Sequence, residues 1–445
     1  MPKFYLQTYG CQMNVYESGV VRRVLYDAGF AETANERDAD VLLMMTCSVR
    51  SHAEQRALGR LGTFRALRSE REGRVVGVLG CMAQRFAEAL VTDHRADIVV
   101  GPDEYLRLPE LIASARTGTT GLLATRQTSE CYDAVMPATG LSPDGDCPQS
   151  PVSTFVTVMR GCDNYCTYCI VPHVKGRERS RPLASILSEA ERHAAGGAKD
   201  ITLLGQNVLA YSDGSRRFPD LLAAVASALP QVRVRFLTSH PRDLDSSLLE
   251  TMRRLPNVCP SLHLPLQSGS SPILERMHRG YTCEEYLAKV ALCRKFLPEV
   301  SLTTDLLVGF PSETEVDFNA TLDLVEEVRF DFAYMFRFSM RPGTRAEEFK
   351  PKVSEADAGR RLSRLIEVQN RITAERNRGM LGNEFELLIE GPSPRDSGWL
   401  GRTVANKVVI AKGPCAPGDL VRCRVTRING WTPVAEVPAR AGAAC

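Results

Sequence analysis

TFVTVMRGCDNYCTYCIVPHVKGRERSR, residues 154–181, reads as a strand that runs straight into a loop of three cysteines. The run Thr154 to Met159 is apolar and β-branched and is closed by Gly161, the composition of a strand and its exit turn. Cys162, Cys166 and Cys169 then follow at C-x3-C-x2-C spacing. Bacterial ferredoxin cysteines are spaced C-x2-C-x2-C and call on a fourth, so three thiolates leave one iron of a four-iron cluster without a protein ligand and open to a substrate. A zinc knuckle is the alternative. It needs a fourth Cys or His at suitable spacing, and His173 is the near candidate.

Outward from this loop, apolar runs recur at Asp200 to Leu204, Val232 to Leu237, Ser261 to Leu266, Val300 to Val308 and Phe332 to Phe338, each followed by a helical or loop segment. Six successive βα units predict a partial (β/α)6 barrel rather than a closed eight-unit one. Upstream, Lys3 to Thr8, Ala39 to Thr46 and Arg74 to Leu79 alternate with amphipathic segments, which predicts a Rossmann-like parallel α/β domain. Cys11, Cys47 and Cys81 each end one of those strands, 36 and 34 residues apart. One βα unit fills each gap, so the three thiols line one edge of the sheet, where such folds build their sites. Downstream, a charged amphipathic helix from Ser354 to Arg378 leads to short strands at Glu384 to Ile389, Val404 to Ile410, Leu420 to Ile428 and Thr432 to Val437, a small antiparallel β-barrel. The Pro/Gly/Ser-rich stretch 137–151 is a linker. The expected division is therefore 1–136, linker 137–151, core 152–376 and barrel 377–441.

Hydrophobic residues at 44% and charged residues at 24% describe a folded globular chain and exclude a disordered or fibrous one. No signal peptide or bilayer-length apolar run is read, so a cytoplasmic location is expected. Cytosolic thiols stay reduced, and the 14 cysteines are read as metal ligands or core residues rather than disulfides. Net charge is only +2, so nucleic-acid contact has to come from local patches.

The cysteine loop resembles the radical S-adenosylmethionine superfamily. With TYGCQMNVYES (8–18), TCSVRSHAEQRALGRLG (46–62) and GVLGCMAQR (77–85) beside it, nearly the whole chain resembles the methylthiotransferases of that superfamily: an N-terminal methylthiotransferase domain, a radical core and a TRAM domain. The resemblance implies two 4Fe-4S clusters. Cys11, Cys47 and Cys81 hold an auxiliary one that carries sulfur, while Cys162, Cys166 and Cys169 hold the one whose open iron chelates S-adenosylmethionine and makes the radical; all six count as catalytic. It implies two cofactor molecules per turnover, one donating methyl. Gln12, Met13 and Asn14 favour the branch that methylthiolates C2 of N6-dimethylallyladenosine at position 37 of transfer RNAs reading codons that start with U. Partners so implied are the tRNA anticodon loop and an electron donor such as flavodoxin or ferredoxin, with the chain a monomer. Two departures stand out: Met45 where Asn is expected, and Ser312 where a GFPGET-like turn has Gly.

Polar residues at strand ends are the candidates for binding S-adenosylmethionine: Gln206, Asn207, Ser239, His240 and Gln267, with Asp305 inside a strand; caps and paired structural carboxylates are the competing readings. Lys175, Arg177, Arg179 and Arg181 form a basic run suited to RNA phosphates or to a solvated face. Between Arg378 and Val437 the barrel carries eight Lys or Arg against six acids, with Trp399 and Trp431 available for base stacking or for filling the barrel. Rival functions are methylthiolation of a ribosomal-protein aspartate or of threonylcarbamoyladenosine in tRNA, and a two-cluster electron carrier with an RNA-binding barrel.

Overall fold

The computed structural model describes residues 1–49, 51–138, 152–394 and 397–438. Nearly all of the expected linker lies outside these residues, as do Cys147, Arg395 and Cys445. Six parallel strands make the N-terminal sheet, in the spatial order Ala31–Glu32, Lys3–Thr8, Val41–Thr46, Val75–Gly80, Ile98–Val100 and Leu122–Ala124. The three strands read from sequence are the second, third and fourth; the others are only two or three residues long, too short for an apolar period to show. Val41, Leu43 and Met45 pack towards helices Gln12–Asp27 and Leu108–Arg116, while Leu42 and Met44 pack towards Ser51–Ser69 and Cys81–Thr92. A strand covered on both faces is an unbroken apolar run. Chain order reverses between Lys3–Thr8 and Val41–Thr46, so the crevice above their carboxyl ends is a topological switch point, where open sheets bind ligands.

The six core strands form as expected, in chain order, as two three-stranded parallel sheets: Ser153–Thr157, Asp200–Leu204 and Arg233–Phe236, then Ser261–His263, Ser301–Val308 and Phe332–Arg337. A bridge between Val234 and Val258 continues the first sheet towards the second. Among the described residues no pairing joins the last strand to the first, so the wall stays open. Leu302, Leu306 and Val308 enter the large core under the surrounding helices, and alternation turns Thr303 and Asp305 to the concave side. The expected first strand breaks at Val158. Met159–Arg160 leaves the wall and pairs antiparallel with Arg179–Ser180, so the cysteine loop is the tip of a hairpin.

Helix Glu355–Arg378, capped by Ser354, leads to a closed five-stranded barrel ordered Glu384–Pro392, Trp399–Thr403, Val408–Lys412, Thr432–Glu436, Leu420–Asn429. Two expectations are corrected. Val404 to Ile410 is not one strand, because Asn406 takes a left-handed turn (φ +67°) between two strands. Nor is the barrel wholly antiparallel: Val408–Lys412 pairs parallel with Thr432–Glu436 to close it. The barrel sits against the amino-terminal ends of the core strands. Arg235 donates to the carbonyls of Thr403 and Val404, Arg233 reaches Glu386 at 2.9 Å, and Lys407 and Arg376 meet Asp331 at 2.7 and 2.8 Å. Among the described residues no helix is long and apolar enough to cross a membrane.

Candidate functional site

The core loop leaves the wall through Gly161, at φ +76°, where an added Cβ would overlap the Arg177 carbonyl. Its N–H donates to Gln206 Oε1 (2.6 Å), and the Cys162 N–H donates to Gly176 O (3.2 Å). Further along, the Thr167 N–H and Oγ1 donate to the carbonyls of Met277 and Arg276 (3.0 and 2.9 Å). Each sulfur has a donor beside it. Asn164 Nδ2 lies 3.5 Å from Cys162 Sγ, Arg279 Nη1 3.3 Å from Cys166 Sγ, and the Val171 amide faces Cys169. As free thiols, Cys162 is pushed up to about 11 and Cys169 to about 12 by burial.

The second trio assembles from three strand ends. Cys11 caps helix Gln12–Asp27, Cys47 follows Val41–Thr46, and Cys81 opens helix Cys81–Thr92. Room is made by Gly10 at φ +125°, where a Cβ would stand 2.5 Å from Cys47 Cβ. The Val49 N–H lies 3.4 Å from Cys47 Sγ, amides of Asn14 and Met13 face Cys11, and that of Ser48 faces Cys81. A hydrogen bond from Cys47, helped by the Asn14 amide and the Lys175 charge and opposed by burial, pulls Cys11 down to about 6; that bond raises Cys47, and burial lifts Cys81 to about 11.

Soft thiolates ringed by N–H donors are the donor set of an iron–sulfur cluster. Both trios fit one. Among the described residues no three Cys, His, Asp or Glu side chains converge on a single ion. A four-iron cluster spreads its ligands farther apart than one ion does.

Cys81 packs with Ile170, the residue after Cys169, and with Val174 in a small buried cluster, which puts the two trios side by side. Beneath them runs a buried ion network that the sequence did not announce. Glu17 pairs with Lys175 and with Arg160 (2.9 Å) and accepts from Tyr105 Oη (2.9 Å), while Asp103 holds Arg179 (3.0 Å). Arg181 is gripped by Glu189 (2.7 Å), Tyr16 Oη (3.0 Å) and Asp133 (2.9 Å). The basic-run reading is thereby corrected. Lys175, Arg179 and Arg181 turn inward, their side chains 4%, 12% and 1% exposed, and only Arg177, at 77%, stays in solvent.

The cofactor candidates divide. Gln206 fixes Gly161; Asn207 Nδ2 donates to Asp243 (2.6 Å) while its Oδ1 accepts from the His240 N–H (3.0 Å); Ser239 Oγ donates to the His263 carbonyl. These three are tied into the protein, although Asn207 also lines a cleft of about 490 Å³ beside Asp163 and Asn164. Gln267, at φ +73°, spends its backbone on Asp305 O and the Leu307 N–H. Asp305 Oδ2 lies 3.4 Å from His263 Nε2. His240 is different: buried, its Nδ1 accepts from the Arg242 N–H (3.3 Å) and its Nε2 has no partner among the described residues. Burial and the nearby Arg279 and Arg242 push it down to about 2, so it is neutral and carries its hydrogen on Nε2.

Of the two departures, Met45 is fully buried, with Tyr105 Oη 3.5 Å from its sulfur. Ser312 keeps a glycine-like φ of +72°, pinned by its N–H to Pro351 O and its Oγ to Lys350 O, both 2.8 Å. Trp399 packs on the barrel core, while Trp431 is half exposed.

Residues 156–325 match the Radical SAM superfamily, 3–101 the uncharacterized protein family UPF0004 and 378–437 the TRAM domain. The chain is 48% identical over 445 residues to a tRNA-2-methylthio-N(6)-dimethylallyladenosine synthase of Porphyromonas gingivalis, covering 98% of this chain and 95% of that one. Relatives of the same description from Bacteroides thetaiotaomicron and Chlorobium luteolum are each 45% identical, covering 97% of this chain and 95% and 96% of theirs. Among solved structures, the radical S-adenosylmethionine methyltransferase TsrM from Kitasatospora setae superposes with a TM-score of 0.59 at 17% identity, over 78% of this chain and 75% of its own. At that identity the likeness is one of fold.

Proposed function

The chain belongs to the family of tRNA-2-methylthio-N(6)-dimethylallyladenosine synthases, and on that premise we propose that it replaces the C2 hydrogen of N6-dimethylallyladenosine at position 37 of tRNA with a methylthio group. The observation that carries this is the packing of Cys81 on Ile170, which sets two three-thiol sites next to each other at the carboxyl edges of two parallel sheets. The C2–H of a purine is neither acidic nor electrophilic at neutral pH, so no arrangement of acids and bases opens it. When bound, two 4Fe-4S clusters and S-adenosylmethionine supply the one-electron and sulfur-transfer chemistry that does.

The chain's own residues bind, orient and exclude water. Cys162, Cys166 and Cys169 hold one cluster and Cys11, Cys47 and Cys81 the other. His240 offers its unpaired Nε2–H to S-adenosylmethionine from a site too buried to charge. Asp305 lies on the concave side of the second half of the wall and Gln267 bridges to the same strand at Leu306, while Gln206, Asn207 and Ser239 keep the strand ends in place. Arg177 meets an RNA phosphate. RNA that touches both the barrel and the cysteine edge runs along the height of the wall, roughly 17–20 Å for strands of this length. Electrons come from a small carrier such as flavodoxin or ferredoxin, and the chain acts as a monomer.

The test is mass spectrometry of nucleosides after incubating the reconstituted chain, reductant and S-adenosylmethionine with an anticodon stem-loop carrying N6-dimethylallyladenosine. A gain of one methylthio group on that nucleoside is expected. An unchanged nucleoside from a chain loaded with both clusters contradicts the proposal.

A further inference from the structure

Arg279 is a buried cation without an acid. Its side chain leaves the segment after helix Ser271–Arg276 and the residue is 5% exposed. Among the described residues its hydrogen-bond partners are Tyr281 Oη (3.1 Å from Nε), Pro265 O (2.9 Å from Nη2) and Cys166 Sγ (3.3 Å from Nη1). Tyr281 is committed elsewhere, donating to the carbonyls of Pro265 and Leu266, and its ring also takes the guanidinium at 5.4 Å. No carboxylate is in this set. An isolated charge taken out of water costs far more than a cation–π contact and two carbonyl or hydroxyl bonds return, so it persists only opposite a negative charge. The one partner able to supply that charge is Cys166, whose sulfur is anionic when it ligates iron.

We infer that Arg279 is the counter-cation of the core cluster, acting through Cys166 to raise that cluster's reduction potential. This rests on the core trio holding a cluster, as proposed above. Arg279 is a positioning residue: it touches a ligand sulfur, not the reacting atoms. Its segment is stitched to the loop by the Thr167 bonds to Met277 and Arg276, which hold the guanidinium and the sulfur in fixed register. A hydrogen bond and a positive charge at a ligand sulfur favour the more negative, reduced form of the cluster, so removing the charge makes reduction harder. The N-terminal trio has no contact with Arg279 among the described residues, so its potential stays where it is.

The experiment is an anaerobic EPR-monitored redox titration of the full chain with both sites loaded, preceded by iron counting, for wild type and for Arg279→Lys, Arg279→Gln and Arg279→Met. In the two neutral variants the core midpoint is expected to fall by at least a tenfold change in the reduction equilibrium, about 59 mV for one electron. The second cluster's midpoint is unmoved, and Arg279→Lys stays within a few-fold of wild type. Loss of core iron in both neutral variants, with retention in Arg279→Lys, supports the same reading. A loaded Arg279→Gln that titrates like wild type overturns it, as does loss of core iron in all three variants, which assigns the side chain to packing. A wild-type chain with no core cluster fails earlier, at iron counting, and refutes the functional reading instead.

Discussion

The two cysteine trios reach similar ends by opposite routes. Cys162, Cys166 and Cys169 lie within eight residues of one hairpin tip, so a single loop conformation places all three. Cys11, Cys47 and Cys81 are gathered from 71 residues by the register of three parallel strands, and no local segment holds them. Their cations differ too: the core trio has Arg279 from its own domain, whereas the N-terminal trio is flanked by Lys175, which the core domain supplies and Glu17 shares. The first site is placed by one loop, anchored to the wall through Gln206, Arg276 and Met277. The second depends on its sheet being built and on the domain interface being closed.

The largest expected effect separates the two chemically. Cys166→Ala abolishes both cleavage of S-adenosylmethionine and methylthiolation, whereas Cys47→Ala abolishes methylthiolation, by at least about a thousandfold or some 4 kcal/mol of barrier, and leaves reductive cleavage running. Product analysis by chromatography checks this; loss of cleavage in Cys47→Ala would merge the sites into one. Next is the interface. Glu17→Gln leaves Lys175 buried without its acid and Arg160 with only Asp103 at 3.8 Å, and is expected to cost about 3–5 kcal/mol in denaturant unfolding, with weaker iron retention at the N-terminal trio than at the core. Equal loss of iron at both trios would contradict the asymmetry.

Gly10→Ala is a smaller perturbation aimed at one trio. Its φ of +125° and the 2.5 Å approach to Cys47 Cβ predict a cost of roughly 1–3 kcal/mol and impaired loading of the N-terminal site alone, read by iron counting. The smallest effect is at Arg177. Its solvent-exposed pair with Asp163 is screened and adds little to stability, so Arg177→Ala should leave the melting temperature in place. It should raise the KM for RNA and reduce the salt slope of RNA binding by about 1. An unchanged KM would remove the last of the basic run from the RNA surface.

The same contrast governs what the sequence disclosed. The core trio is legible because its spacing is local, and the N-terminal trio because one βα unit separates successive strand ends. The long strands were legible by period; Ile98–Val100 and Leu122–Ala124 were too short. Lys175, Arg179 and Arg181 were misread because a row of charges says nothing about burial, which is set here by Glu17, Asp103 and Glu189 arriving from other segments. Arg279 left no signal at all, since its meaning lies in the absence of an acid around it in space. Ser312 and Met45 were visible as departures, but their accommodation by a pinned left-handed turn and by apolar packing was not.

The central claim is that six thiols make two separate cluster sites, and anaerobic iron and sulfide counting tests it most directly. Wild type should bind about eight irons, and removing any one cysteine of either trio should leave about four, with the opposite trio's spectrum intact. A wild-type chain that saturates at about four irons, or a single substitution that empties both sites, would contradict it.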